Sequence, residues 1–246
     1  MRINIKRILI FLALIFVSIV IFKQKSANKS IGSLSYTIDF NVEDINESNK
    51  TDPIIAGLDL FDEINEASKK LIFNLNFSNL EASFSLNKNV DVNDKMSKLA
   101  IVLSGGKGFF YNNYHNRVRQ VDAFNNKYLI KYNNIKSTDW VLKEDMKIIN
   151  GYKCNKAILK KSDSNSEEII AWYSPELPYR FGPRGIGNLP GLILELSVTN
   201  RVEIIFTASN LLFNDLENIS EPLEGIKITR NEFNVIKQNK FLELIK

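Results

Sequence analysis

Alternation of apolar and polar residues is the dominant pattern along the chain. Residues 33–42 alternate without a fault. Their apolar members, which share one face, are Leu34, Tyr36, Ile38, Phe40 and Val42. A period of two over ten residues indicates a strand with one face in water. The pattern returns at 71–77 and 80–86, and its parity changes across Ser78 and Asn79, as a tight hairpin turn requires.

Further short apolar or alternating runs predict a mainly β protein. The remaining strand candidates are residues 99–104, 108–112, 127–132, 140–143, 147–150, 154–160, 168–173, 192–199 and 201–208. Because short turns separate successive runs, the chain favours an antiparallel meander over alternating strand–helix units. We therefore expect a single curved antiparallel sheet or a partly open barrel, with a C-terminal helix packed on it.

Two segments carry helix signals. Asp52 and Pro53 suit an N-cap and first helical residue for a helix reaching Ser68. Thr229 and Glu232 form a capping box at the start of a helix over 230–245. Its apolar residues recur near helical spacing and are Phe233, Ile236, Phe241 and Leu244. This face should pack on the sheet.

The N-terminal thirty residues form a distinct segment. Residues 1–30 contain six basic and no acidic residues, and 8–22 are fifteen residues without charge. A basic start followed by a short apolar run is typical of a secretory signal. Lys25 occupies a position where a cleavage site favours a small residue, so an uncleaved transmembrane anchor is the alternative. The sequence predicts export to the periplasm or cell envelope, with one β-rich domain over 31–246.

Charge and composition narrow the function of that domain. Residues 31–246 carry 26 basic and 28 acidic groups, so the sequence pI of about 8.9 comes from the leader. Overall charge gives no support to nucleic-acid binding. One cysteine excludes an intramolecular disulfide, and one histidine excludes a multi-histidine metal site. We expect no metal and no cofactor.

Residues 171–196 form a long, stiffened loop between two strand-like runs. The segment contains four prolines, which fix φ, and four glycines, which permit positive φ. Pro190 and Gly191 stand where the central residues of a type II turn would, so we expect a positive φ at Gly191.

The residues of this segment resemble the signature of the GLPGLI family. Four motifs carry the resemblance, in one order: Trp140-Val-Leu-x-x-Asp-x-Lys147-Ile-x-x-Gly-Tyr152-x-Cys154-x-Lys156-Ala157, Ala171-Trp-Tyr-Ser-Pro-Glu-Leu-Pro178, Gly182-Pro183, and Asn188-Leu189-Pro190-Gly191-Leu192-Ile193. Asn188 replaces the first glycine of the hexapeptide, and asparagine tolerates left-handed φ well. The resemblance implies a β-rich exported bacterial protein, and it implies no known activity or catalytic residues.

The candidates for chemistry are few. Cys154 and His115 are the only Cys–His pair, and they lie on separate predicted elements, so we expect a core cysteine and a histidine in an exposed turn. Gly105-Gly-Lys-Gly108 lacks the rest of a phosphate loop and is interpreted as a hairpin turn. The adjacent acidic pairs are interpreted as solubility charges, and these are Glu144-Asp145 and Glu167-Glu168.

The candidate binding residues lie in the stiffened loop and are Trp172, Tyr173, Arg180 and Arg184. Trp, Tyr and Arg often dominate interfaces, and a stiff loop lowers the ordering cost of binding. We therefore favour a non-catalytic envelope protein that binds an envelope protein partner or an apolar ligand. The alternatives are a hydrolase using acidic residues and a membrane-tethered structural protein with no ligand. For the loop itself, the alternative to a binding role is a structural corner in which Leu189, Leu192 and Leu194 plug the sheet.

The leader predicts that the chain is recovered from the cell envelope. Cell fractionation followed by mass spectrometry of the N-terminus should find the protein there, either starting near Ile31 or intact and membrane-bound. Recovery of the full-length chain in the soluble cytoplasmic fraction would contradict the export prediction.

Overall fold

The fold is seen in a computed structural model of the 246-residue chain. It describes residues 31–41, 58–160, 167–199, 202–213 and 218–244, with the side chains of 58–60 and 241–244 left outside the description. The predicted leader over 1–30 and the start of the helix expected from Asp52 lie outside the described residues.

Twelve strands in the described residues form one large sheet. The strands are β1 Gly32–Asn41, β2 Phe73–Phe77, β3 Glu81–Leu86, β4 Phe109–Asn113, β5 Arg117–Ala123, β6 Asn126–Tyr132, β7 Trp140–Ile149, β8 Tyr152–Leu159, β9 Glu168–Ser174, β10 Leu192–Thr199, β11 Glu203–Leu212 and β12 Ile226–Thr229. Their order is β12-β6-β5-β4-β3-β2-β1-β11-β10-β9-β8-β7. Neighbours are antiparallel except for β12 and β6, which pair in parallel. The edge strands β12 and β7 do not pair with each other, so the sheet stays open and the predicted fold class is confirmed.

Large aromatic residues fill the inner side of the central strands. The rings of Phe73 and Phe84 stack with centroids 5.4 Å apart, and Phe206 meets both edge-on. Tyr36 adds a fourth ring against Phe84. All four residues are completely or almost completely buried. Offset and edge-to-face ring pairs add stabilisation to the burial of this surface, so the alternating pattern of β1 and β2 provides the centre of the core.

Three helices are described. They are α1 Leu58–Ser68, α2 Lys95–Leu103 and α3 Arg230–Leu244. Helix α1 packs on α2 and β1, where the Ser68 hydroxyl donates to the carbonyl of Ile38. Helix α3 begins with the predicted capping box: the Glu232 carboxylate accepts from the Thr229 amide, and the Thr229 hydroxyl accepts from the Glu232 amide. No described helix is long and apolar enough to cross a membrane.

Helix α2 corrects the prediction of a strand at 99–104. Asp94 caps this helix by accepting from the Ser97 amide at 2.8 Å, and Ala100 and Ile101 are buried. A short apolar run fits a buried helix as well as a strand, and the capping aspartate five residues upstream decides between them. The segment Gly105–Gly108 consequently joins α2 to β4 and is not a hairpin turn.

The structure contains two strands that the sequence pattern did not predict, and it joins two of the predicted strands into one. Strand β5 follows directly after the turn that contains His115, and β12 is only four residues long. The candidates 140–143 and 147–150 belong to the single strand β7, whose pairing with β8 is interrupted between Leu142 and Met146. This irregularity divides the alternation in sequence without ending the strand.

The connection between β9 and β10, residues 175–191, is folded back into the curved sheet. We call it the β9–β10 loop. Its buried side chains are Leu177, Phe181, Ile186 and Leu189. The segment Pro183–Gly185 lies against β3 and β4, which are several strands away from β9 in the sheet order. The loop can reach them only because the sheet curves around it.

Side chains of distant strands bind the backbone around this loop. The Tyr36 hydroxyl donates to the Ile193 carbonyl, and the Trp140 indole N–H donates to the Gly187 carbonyl at 3.0 Å. The side-chain amide of Asn188 donates to the backbone carbonyl of Ile135. Since buried backbone carbonyls need partners, these bonds allow an irregular segment to lie in the interior.

The hexapeptide beginning at Asn188 has a structural role in this loop. Asn188 has a φ of 65°, as expected for asparagine in place of glycine, and Leu189 is buried. The prediction of a positive φ at Gly191 is wrong, because Gly191 is not among the left-handed residues. Glycine is required there by space: a Cβ would lie 2.1 Å from the carbonyl oxygen of Ser174.

This contact predicts that Gly191→Ala destabilises the fold through a backbone clash. We expect a loss of about 2–3 kcal/mol in the free energy of unfolding, measured by chemical denaturation. Gly151→Ala is the matched control, because Gly151 has a φ of 83° and no atom lies within 4 Å of the position that a Cβ would take. It should cost about 1 kcal/mol from backbone strain alone. A Gly191→Ala loss no larger than the control's would contradict the close approach.

Candidate functional site

A cleft of about 540 Å³ opens on the inner side of the sheet. Strands β4, β5 and β6 form one side, and Ile169 of β9 and the β9–β10 loop form another. Helix α3 contributes Phe233, and the end of α2 contributes Leu103. The two groups of strands lie in different halves of the sheet order, so the curvature of the sheet creates the cleft.

Basic side chains dominate the polar lining of this cleft. The six cationic residues are Lys107, Arg117, Arg119, Arg184, Arg230 and Lys237, and among the described residues the single acidic one is Glu167. A second hollow of about 440 Å³ on the other face of β5 and β6 has two lysines and two glutamates. The excess of positive charge therefore distinguishes the first cleft, which we call the basic cleft.

Strand β5 supplies two of the arginines. Because side chains alternate along a strand, Arg117 and Arg119 project from the same face. The Arg119 guanidinium donates twice to the Lys107 carbonyl, at 2.9 and 2.6 Å from Nε and Nη2. Its Cζ also lies 5.0 Å from the ring centre of Phe110 on β4. These contacts fix the direction of Arg119 without neutralising its charge.

Arg117 is a charged group without an acidic partner in the described residues. Its Nη2 donates to the Arg184 carbonyl at 3.3 Å, and its Cζ lies 5.1 Å from the ring centre of Tyr132. Its Nε is shielded from solvent and has no hydrogen-bond partner among those residues. Burial, reinforced by nearby Arg184 and Arg230, lowers the pKa of Arg117 to about 10 against the opposing effect of Tyr132. The side chain stays charged at neutral pH.

Arg184 reaches the cleft from the β9–β10 loop through a strained backbone. Its φ of 56° is uncommon for a residue with a side chain, and such strain concentrates at functional sites. The side chain is 15% exposed and its Nη2 lies 3.5 Å from Oε1 of Glu167. Burial lowers the pKa of Arg184, and the carboxylate of Glu167 opposes that shift.

Glu167 and Tyr132 connect the remaining groups. The other carboxylate oxygen of Glu167 lies 3.8 Å from Arg230, the first residue of α3. The Tyr132 ring has the guanidinium of Arg230 at 5.7 Å in addition to that of Arg117. The interpretation of Glu167 as a solubility charge is therefore wrong, since it is the acidic group around which two cleft arginines gather.

The structure brings one of the four predicted binding residues into the basic cleft. Arg184 lies there, whereas Arg180 is exposed on the same loop and does not line the cleft. Tyr173 is buried in the core. Trp172 projects from the opposite face of β9, where Lys147 lies 4.4 Å from its ring centre and pairs with Glu195.

Sequence reasoning missed the arginines of β5 and α3. The signal was present at Arg117-Val-Arg119, where alternation places both charges on one face of a strand. The exposed turn around His115 obscured where that strand begins. Nothing in the local sequence indicated that Arg230 would join them, because α3 is more than a hundred residues away along the chain.

The nucleophile and acid–base candidates do not converge in the described residues. Cys154 is fully buried in β8, and His115 is exposed between β4 and β5. The described residues also contain no group of three His, Cys, Asp or Glu residues with metal-binding geometry.

Away from the basic cleft, Glu81 accepts a hydrogen bond from the Tyr111 hydroxyl. Burial, and to a lesser extent this bond, raises the pKa of Tyr111. The basic cleft can hold an anion through charge-assisted hydrogen bonds.

Fold and cleft together define the class of protein, which is a mainly β domain with a charged cleft. Comparisons with known proteins show what the chain is similar to. Residues 106–212 are similar to the family described as N-glycanase peptide, N-terminal domain. A crystal structure of PNGF-II in space group P21 is similar to the chain, with a TM-score of 0.50, 13% identity and 84% of this chain covered. A second structure, in space group C2, gives a TM-score of 0.49, 12% identity and 83% coverage.

The extent of these similarities limits what they establish. This chain spans 32% of each PNGF-II chain, and at 13% identity the likeness concerns the fold alone. No curated protein matches the chain. The family match includes Lys107, Arg117, Arg119, Glu167 and Arg184, so most of the basic cleft lies within the matched range.

The position of Cys154 predicts an unreactive thiol. Burial raises its pKa to about 11, so the thiolate fraction at pH 8 is about 100-fold below that of an ordinary cysteine. Iodoacetamide at pH 8 should label the folded chain at least about 100-fold more slowly than the chain unfolded in guanidinium, as followed by mass spectrometry. Rapid labelling of the folded chain would restore Cys154 as a candidate nucleophile.

Proposed function

We propose that this protein is an exported, non-catalytic binding domain of the cell envelope that holds a carbohydrate-bearing ligand in the basic cleft. The observation that carries the proposal is the cleft itself, in which four arginines surround a space of about 540 Å³. A space of that size matches small-ligand sites, which are concave and combine apolar walls with a few fixed polar groups. The apolar ring of Phe233 and the aliphatic side chain of Ile169 belong to those walls.

The link to carbohydrate rests on the matched family. Its description names an N-glycanase, and the match covers the strands that supply most of the cleft. Aromatic rings and guanidinium groups suit a sugar ligand, since rings pack on the apolar faces of sugars while arginines bind their oxygens. Tyr132 and Phe233 are the rings placed for this contact.

A binding role, and not hydrolysis, is supported by the balance of charges. A hydrolase that cleaves an O-glycosidic bond with acidic residues generally needs two carboxyl groups, one on either side of the bond. Glu167 is the one carboxylate that the described residues place in the basic cleft, and it is engaged by Arg184. The groups present are suited to holding a ligand.

Membership of the GLPGLI family and location in the envelope are part of the same proposal. The hexapeptide Asn188–Ile193 holds the β9–β10 loop in place, and that loop carries Arg184. A shared hexapeptide would then preserve the loop geometry of the cleft and not a catalytic group. The N-terminal segment would deliver the domain to the periplasm or anchor it in the membrane.

Binding of a glycopeptide tests the proposal. Fluorescence anisotropy with a fluorescein-labelled, sialylated N-glycopeptide should give saturable binding to the parent protein. Arg184→Asn keeps a residue that tolerates positive φ but removes the guanidinium, so we expect binding to weaken at least about tenfold. Mass spectrometry should recover the glycopeptide intact.

A second substitution separates the cleft from the exposed part of the loop. Arg180→Asn removes an arginine that does not line the cleft, so the affinity should stay close to that of the parent. An Arg180→Asn loss equal to that of Arg184→Asn would favour the outer loop as the contact surface. Release of the glycan, or equal binding by parent and Arg184→Asn, would contradict the proposed function.

A further inference from the structure

The arrangement of charge in the basic cleft is more specific than a general binding role requires. Arg117, Arg184 and Arg230 lie within one small region. The Arg117 guanidinium donates to the backbone carbonyl of Arg184, and the guanidinium groups of Arg184 and Arg230 both approach the Glu167 carboxylate. Like charges repel, and burial strengthens that repulsion by lowering the effective dielectric constant. Two of these guanidinium groups have pKa values lowered by burial. The cleft therefore concentrates positive charge at an energetic cost.

One carboxylate does not compensate for these arginines. Glu167 is 26% exposed and contacts Arg184 and Arg230 at 3.5 and 3.8 Å, which are long for ion pairs. Arg117 has no ion pair within the described part of the chain. Charges withdrawn from water are normally paired, so an arginine that lines a cleft without such a pair is a candidate for binding a ligand of opposite charge.

We propose that the basic cleft recognises an oxyanion, a sulfate, phosphate or carboxylate group carried on a saccharide, through Arg117 and Arg184. The inference deepens the proposed function, on which it rests for the choice of cleft and of saccharide. Guanidinium groups present several donors in a plane and bind such groups with two parallel hydrogen bonds. Arg119 and Arg230 add long-range attraction from the sides of the cleft, and Tyr132 lies beside the anion site to contact the sugar.

Size and overall charge favour a small acidic sugar over a polyanion. The cleft volume of about 540 Å³ suits one or two sugar rings. Residues 31–246 carry 28 acidic and 26 basic groups, so the excess of positive charge in the cleft is local and is not a property of these residues as a whole. Nucleic acids and anionic membranes need an extended basic surface. A single charged substituent needs only a local cluster.

Four disaccharides of matched size test the ligand chemistry. Isothermal titration calorimetry at one ionic strength compares sulfated, phosphorylated, uronic-acid and neutral disaccharides, with inorganic sulfate as a separate probe. We expect at least one acidic disaccharide to bind ten times or more tightly than the neutral one. In a second series at increasing sodium chloride, the affinity of that acidic disaccharide should fall. The three acidic arms identify which oxyanion the cleft prefers.

Two variants test the site, one that removes a positive charge from the cleft and one that removes a negative charge. Arg117→Met keeps an unbranched apolar stem and removes the guanidinium group. The tenfold preference should therefore disappear, while circular dichroism shows a folded protein. Glu167→Gln removes the one carboxylate that lines the cleft in the described part of the chain. It should tighten binding of the acidic disaccharide threefold or more. A merely structural role would not give this increase. Lys143→Met, an exposed lysine on β7, is the control and should bind like the parent.

The outcomes separate this inference from the proposed function. Equal binding of neutral and acidic disaccharides, with loss in Arg184→Asn, would overturn the oxyanion preference and leave the carbohydrate role standing. Binding of inorganic sulfate with no added affinity from any sugar would support the oxyanion site and contradict the carbohydrate role. Unchanged preference in Arg117→Met together with unchanged or weaker binding in Glu167→Gln would remove the site from this cleft.

Discussion

Insertion of the β9–β10 loop into the curved sheet is the interaction on which the remaining structure depends. Tyr36 of β1 and Trp140 of β7 donate hydrogen bonds to the backbone carbonyls of Ile193 and Gly187, at the C-terminal end of this loop. The side chain of Asn188 in turn donates to the Ile135 carbonyl. The buried side chains Leu177, Phe181, Ile186 and Leu189 of the loop belong to the main hydrophobic core. The sheet can bend around the loop because irregular backbone in the interior has its polar groups satisfied.

The same insertion places the positive charge of Arg184 on the inner side of the sheet. Arg184 reaches the inner side of the sheet through a left-handed backbone, beside the arginines of β5. Grouping guanidinium charges in this way opposes folding, and the apolar core offsets the cost through the burial of its aromatic rings. A bound anion would relieve the repulsion, so ligand affinity and stability of the cleft are linked through one set of residues.

Local pattern predicted most of the sheet and failed at identifiable places. The alternation of β1 and the capping box of α3 were sufficient because each signal lies within a few residues. For residues 99–104, most of which belong to α2, the apolar run predicts a strand wrongly, because periodicity over six residues does not separate a buried helix from a buried strand. At Gly191 the expected turn geometry was wrong, because contact with Ser174, a residue on another segment, imposes the glycine.

The sequence by itself determined a mainly β fold, a basic N-terminal segment with an apolar run, and a stiffened loop that contains Arg184. Those features follow from spacing, composition and proline content, which act over short stretches of chain. Only the tertiary structure decided that Arg117, Arg184 and Arg230 share one cleft with Glu167, and that Trp172 faces away from it. The physical reason is that charge adds up in space: a domain with nearly balanced charge along its sequence still gathers cations where a curved sheet brings distant strands together.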